Sequence, residues 1–149
     1  MLITTPSVTI KGKKVLLSQG NCKTYNTCYL GLCMICNKPY TGRTIEETHK
    51  RVCGHRRKFK EILKRLEEGT IDELDTDSDL YMLGLHLYLE HGLTDPGAFD
   101  EHMKFGILDV VSPQDIIKKE YTWMHRLNTF QPEGMNIEYP FGIPLLGQN

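Results

Sequence analysis

Two sets of residues in this chain have the types and spacing to do chemistry. The first is a thiol pair, Cys33 and Cys36, inside Tyr29-Leu-Gly-Leu-Cys33-Met-Ile-Cys36-Asn-Lys-Pro-Tyr40-Thr-Gly42-Arg43-Thr44, with His86-x4-His91 much later. Two thiolates and two imidazoles form a tetrahedral donor set that zinc favours. The gap between the pairs is far longer than in a small zinc finger, so reduced cysteines in a turn and two surface histidines fit the same spacing. Side chains five apart on a helix diverge by roughly 140°. His91 is therefore expected past the end of a helix, returned toward His86 by a turn at Gly92. The second set is Arg51 and His55, one helical turn apart and so on one side of a helix, with Tyr29 and Tyr40 on neighbouring strands. A guanidinium fork matches phosphate oxygens, and this group suits a phosphate better than an apolar core.

The elements that must position these residues can be read around them. Apolar runs at Cys28–Leu32 and Tyr40–Thr41 flank the cysteine turn, which predicts a β-hairpin with a metal knuckle at its tip and Asn37 in the left-handed region. Apolar positions Ile45, Val52, Phe59, Ile62, Leu63 and Leu66 predict one face of a helix ending at Gly69. Thr44 is its expected N-cap, with Glu46 and Glu47 in the first turn. Gly54 inside that helix costs about 1 kcal/mol against alanine, and either permits a close backbone approach or marks a weak point. Ser7–Ile10 and Val15–Leu17 bracket Lys11-Gly-Lys-Lys14 as a second hairpin, an edge addition or a lead-in, so residues 1–21 are assigned to an N-terminal hairpin or lead-in extension. Leu83, Leu85, Leu87 and Leu89 alternate as in a strand, but an Asp/Ser-rich start and Gly92 favour a helix over 80–90. A strand is expected at 105–111, a helix opened by Ser112-Pro113 and running to about Leu127, and irregular chain over 129–149. Asp75-x-Asp77-x-Asp79 imitates a calcium loop but has Leu80 where glycine is required and His86 where glutamate is required, so calcium is rejected. The expected fold class is α+β, with a small central antiparallel sheet built on the motif hairpin and flanked by helices.

A net charge of −1 would not by itself suggest a nucleic-acid partner, but its distribution does. Lys50, Arg51, Arg56, Arg57, Lys58, Lys60, Lys64 and Arg65 share one helix, and 67–79 is acidic. A solvated helix face is the simpler reading of charge alone. No apolar run reaches membrane-spanning length and the N-terminus lacks a signal-peptide layout. Five cysteines, an odd number without a secretory signal, argue for a reducing, intracellular setting. Cys22, Cys28 and Cys53 are expected as small buried residues, and Trp123 as core.

Tyr29, Tyr40-Thr41-Gly42, Arg51 and His55, followed by Glu120-Tyr-Thr-Trp123 and Pro132-Glu-Gly134-Met-Asn136, resemble the GIY-YIG endonuclease module over Lys23 to Asn136. Cys33/Cys36 with His86/His91 is similar to the subgroup found in Penelope-like retroelements. The first motif reads Thr27-Cys28-Tyr29, and Thr41 replaces isoleucine in the second, so the tyrosine and glycine positions fit while the apolar filling differs.

The resemblance implies a nuclease-like domain over 22–138 with a zinc-binding insertion, a tail over 139–149, and a metal-dependent DNA endonuclease that nicks. In this reading Tyr29, Tyr40, Arg51, His55 and Glu120 are catalytic and Glu120 holds Mg²⁺ (or Mn²⁺). Arg43, Lys50, Arg56 and Asn136 contact DNA, while Cys33, Cys36, His86 and His91 hold a structural Zn²⁺. The general base stays open between a hairpin tyrosine and His55. DNA is the expected partner, a polyprotein with a reverse transcriptase the expected setting, and the nucleus the location in a eukaryote. The rival is a zinc-stapled nucleic-acid-binding module without cleavage. A thiol-redox role lacks a surrounding thioredoxin-like pattern, and a deaminase site lacks its His-x-Glu and Pro-Cys-x-x-Cys order.

Overall fold

The computed structural model describes residues 2–74 and 78–137. Its centre is a three-stranded antiparallel sheet of β3 (Thr27–Cys33), β4 (Pro39–Thr44) and β5 (Met103–Val110), ordered β4-β3-β5. Every residue of β3 is buried, because both faces of the sheet are covered. The α+β expectation, with a small antiparallel sheet built on the motif hairpin and flanked by helices, holds.

Alternation along β3 sorts its side chains between two cores. Tyr29 and Cys33 face one side with Tyr40, Phe105 and Met103. That side is roofed by helices α1 (Thr48–Glu68), α2 (Met82–His91) and α3 (Ala98–His102), through Val52, Phe59, Leu83, Leu87 and Phe99. Cys28, Leu30 and Leu32 face the other side with Leu108. There α4 (Ile116–Leu127) and a separate two-stranded sheet, β1 (Ser7–Ile10) with β2 (Lys13–Leu16), close the layer. Ile10 and Val15 sit in this second core, so the N-terminal hairpin packs onto the folded body. Trp123 is partly buried against the same core, as expected.

Several local expectations are corrected. Thr44 ends β4 instead of capping α1, and its hydroxyl accepts from the Glu46 amide at 3.1 Å. The helix starts at Thr48 after Glu47, with no acidic residue in its first turn, and Ile45 is exposed. The α4 helix begins at Ile116, later than Ser112-Pro113 suggested, and α3 had no expectation at all. Cys28 is buried, but Cys22 is exposed and Cys53 half-buried. A Cβ on Gly54 would meet only ordinary neighbours, Arg57 at 3.7 Å and Leu80 at 3.9 Å, so no close approach requires glycine there. The Asp75–Asp77 part of the calcium-like stretch and the tail over 139–149 lie outside the described residues.

Candidate functional site

The β3–β4 hairpin carries both reactive sets, at opposite ends. At its turn, the Asn37 amide donates to the Cys33 carbonyl at 2.8 Å with Asn37 left-handed at φ 63°, and this points Cys33 and Cys36 toward α2. Ligand atoms of Cys33, Cys36, His86 and His91 all lie within 4.8 Å of one another. Cys33 Sγ is 3.5 Å from His91 Nε2, and Cys36 Sγ is 3.3 Å from His86 Nε2. A tetrahedral ion with Zn–S of about 2.3 Å and Zn–N of about 2.05 Å requires S···N edges of roughly 3.5 Å. The cluster fits a metal ion such as zinc. Glu90 completes it by bonding His86 Nδ1 at 2.7 Å and Lys38 Nζ at 2.8 Å, which leaves Nε2 facing the thiols. Burial holds His86 below the usual imidazole range, so its lone pair stays available. His91 is the last residue of α2, not beyond it; the left-handed Gly92 ends the helix immediately after.

At the open end of the hairpin, β4 is an edge strand, and its cover is incomplete. The segment after α4 shields Pro39 to Thr41: the Met135 amide donates to the Pro39 carbonyl at 2.9 Å. Asn136 accepts from the Thr41 amide at 2.8 Å and donates to the Thr41 carbonyl at 3.0 Å. This uses the buried Asn136 amide like a neighbouring strand, as a clasp on the β4 edge. Where the cover stops, a cavity of about 320 Å³ opens, lined by Tyr29, Tyr40, Arg43, Thr44, Ile45, Arg51, Asp79, Leu80 and Glu120.

Each side chain arrives there for a local reason. Tyr29 lies across Gly42, its cross-strand partner, where a Cβ would come within 2.4 Å of the phenol. Glycine is obligatory in Tyr40-Thr41-Gly42 for that reason. A register shift between β3 and β5 falls at Cys28/Tyr29, a device that re-aims side chains beside sites. Arg51 and His55 come from α1, and Glu120 from α4 on the opposite face of the sheet. The cavity therefore straddles the β4 edge. Arg43 Nη1 donates to Glu120 Oε1 at 2.6 Å across it. The Tyr29 hydroxyl is 2.7 Å from His55 Nε2, and Tyr40 meets the same imidazole edge-on at 5.4 Å between ring centres.

Burial governs protonation here. Both phenols are pushed above their usual range, mainly by burial, with Arg51 pulling each back. Burial and then the Arg51 charge push His55 down to about 3, the Leu80 backbone opposing. Burial lifts Glu120 up to about 7 against the pull of Arg43. His55 is thus held neutral, and Glu120 is readily protonated near neutral pH.

Of the expected site residues, Tyr29, Tyr40, Arg43, Arg51 and Glu120 line one cavity and His55 supports it from behind. Lys50 lines a smaller adjoining recess with Arg51 and Arg57. Arg56 turns elsewhere: its Nε donates to Asp100 of α3 at 2.8 Å. Sequence reasoning missed Asp79 and Glu90. The His86-x3-Glu90 spacing on a helix was a usable signal for the second; nothing local marks the first. The chain matches no protein-family model, no curated protein and no solved structure.

Proposed function

We propose that the chain is a metal-dependent endonuclease of the GIY-YIG kind that hydrolyses one DNA phosphodiester and leaves a nick. One observation carries this reading: Tyr29, Tyr40, Arg51 and Glu120, from four separate stretches, line a single cavity with His55 bonded to one of the phenols.

The chemistry follows from the residues. Arg51 and Arg43 face the space where non-bridging phosphate oxygens would sit and neutralise them. A phosphate that takes up Arg43 also releases Glu120 from its ion pair. Glu120 would hold Mg²⁺ (or Mn²⁺), whose charge assists the leaving oxygen and acidifies a bound water. Neither phenol ionises unaided, because burial raises both. The Tyr29 proton has a receiver, however, in the neutral imidazole 2.7 Å away. An anionic phosphate against Arg51 also cancels the second of the two causes that depress His55, which makes it a better base when substrate is present. The Tyr29–His55 pair can then take the proton of the attacking water, Tyr29 accepting it as its own proton passes to His55 Nε2, while Tyr40 packs edge-on against that imidazole.

At the other end of the hairpin, Cys33, Cys36, His86 and His91 would hold Zn²⁺ as a closed structural site. The basic helix face beyond Lys50 and Arg57 suits the DNA backbone. Supercoiled plasmid incubated with the protein tests the whole assignment. Relaxation to the nicked form is expected only with Mg²⁺ or Mn²⁺, falling roughly 10²–10³-fold in Arg51→Ala, the loss typical of one preorganised charge-stabilising group. Retention of the plasmid without nicking at any metal concentration would leave the rival, a zinc-stapled binding module.

A further inference from the structure

Asp79 is unexplained by the fold. It opens the one-turn helix Asp79–Tyr81 that leads into α2, in the stretch whose acidic pattern was set aside as a failed calcium loop. Its backbone is firmly placed. The Tyr81 hydroxyl donates to Glu61 at 2.5 Å, Lys58 lies over the Tyr81 ring at 4.9 Å, and Leu80 packs beside Gly54 of α1. Twelve residues after Asp79, α2 ends at His91 in the metal cluster, and His86 of the same helix joins it there.

The carboxylate itself has no structural task. It caps neither its own turn nor α2, and among the described residues no hydrogen bond or ion pair holds it. A half-buried carboxylate without a partner is costly to keep. Yet it is kept, and it lines the cavity that Glu120 also lines, with Arg43, Arg51 and two phenols. Burial raises both carboxylates and Asp79 raises Glu120 further, a frustration that Arg43 and Arg51 relieve only in part. A hard divalent cation removes that frustration, and magnesium sites commonly use one or two carboxylates with waters completing the shell.

We propose that Asp79 is a second acidic ligand of the cavity's divalent cation, so that Asp79 and Glu120 hold it jointly from the two sides of the β4 edge. The proposal rests on the nuclease reading only for the cation's catalytic role. It also gives the segment between α1 and β5 two duties: α2 donates the histidines of the metal cluster, and the turn before it donates the carboxylate of the cavity.

Mn²⁺ titration followed by electron paramagnetic resonance, on the full zinc-loaded chain, tests this without relying on activity. The wild type is expected to bind one Mn²⁺, and Asp79→Asn and Glu120→Gln should each weaken it at least about tenfold. Zinc content should be unchanged and the Tm of Asp79→Asn no lower than wild type, since no bond is lost. An Asp79→Asn chain that binds Mn²⁺ like wild type overturns the proposal. So does a wild type that binds none, alone or with a phosphorothioate oligonucleotide. Nicking on the same samples separates the two ideas. Mn²⁺ binding weakened by Asp79→Asn in a chain that never nicks keeps the ligand and sinks the nuclease. Nicking and Mn²⁺ binding that survive Asp79→Asn but not Glu120→Gln do the reverse.

Discussion

One hairpin serves two ends that are built on opposite principles. At the turn, Cys33 and Cys36 meet two imidazoles, Glu90 orients one of them, and Lys38 in turn holds Glu90. Each group has a partner within the fold, and a set of four protein ligands leaves no position open for a reactant. At the other end, the charged groups have only each other. Glu120 pairs with Arg43, and Arg51 faces the space between Glu120 and Asp79. Asp79 has no hydrogen bond or close ion pair among the described residues and feels only the charges of Arg43 and Arg51 across the cavity. The boundary is Asn136, whose amide closes the β4 edge at Thr41 and leaves it open from Gly42 onward. A strand edge is a liability that proteins cover; here the cover stops where the cavity opens.

Breaking the closed end should cost most. Cys36→Ser, or prolonged chelation, is expected to remove the metal and with it a good part of the roughly 10 kcal/mol that a structural zinc supplies at neutral pH. Loss of even a third of that lowers the Tm of a chain this size by about 10 °C. Elemental analysis and a melting curve check it. An unchanged Tm with the metal gone would mean that the cluster is not structural.

The open end should show instead in the pH profile. His55 protonates near 6.5 in the unfolded chain but only near 3 when folded, so the unfolded state binds the extra proton between those values. Its contribution is therefore complete above 6.5 and lost as pH falls through that window, at about 1.4 kcal/mol per pH unit. Denaturant unfolding of wild type and His55→Gln at several pH values isolates it. The difference between the two chains should shrink on acidification, and a constant difference would contradict a neutral, buried imidazole.

The boundary residue comes next. Asn136→Ala orphans the amide and carbonyl of Thr41 and should cost roughly 1–3 kcal/mol, with a rise in hydrogen exchange confined to the β4 edge. A DNA-binding defect without that loss would place Asn136 on the substrate side. Smallest is Gly54→Ala: the added methyl has room, so up to about 1 kcal/mol of stability should be gained with nicking unaltered.

Much of this was legible before any coordinates. Periodicity put Arg51 and His55 on one side of a helix with Tyr29 and Tyr40 on neighbouring strands, whereas Glu120 joined the set only through the resemblance to the GIY-YIG module. The hairpin, the left-handed Asn37 and the helix ended by Gly92 followed from the same periodicities and turn chemistry. What stayed hidden depends on contacts between segments far apart in sequence. Asn136 reads as a turn residue until β4 is known to be an edge. Arg56 reads as part of a basic face until α3 brings Asp100 to it, and that five-residue helix is too short for periodicity to reveal. Asp79 was visible only as a member of an acidic run, because its neighbours Tyr29, Tyr40 and Glu120 come from strands and a helix remote in the chain.

The comparison turns on whether chemistry and stability belong to different ends of the hairpin. The nicking rate of Glu120→Ala, measured with Mg²⁺ at wild-type zinc content and after a melting curve shows the chain folded, addresses that directly. A loss of at least about 10²-fold is expected. A rate equal to wild type in the folded, zinc-loaded variant would contradict the assignment of catalysis to the β4 edge.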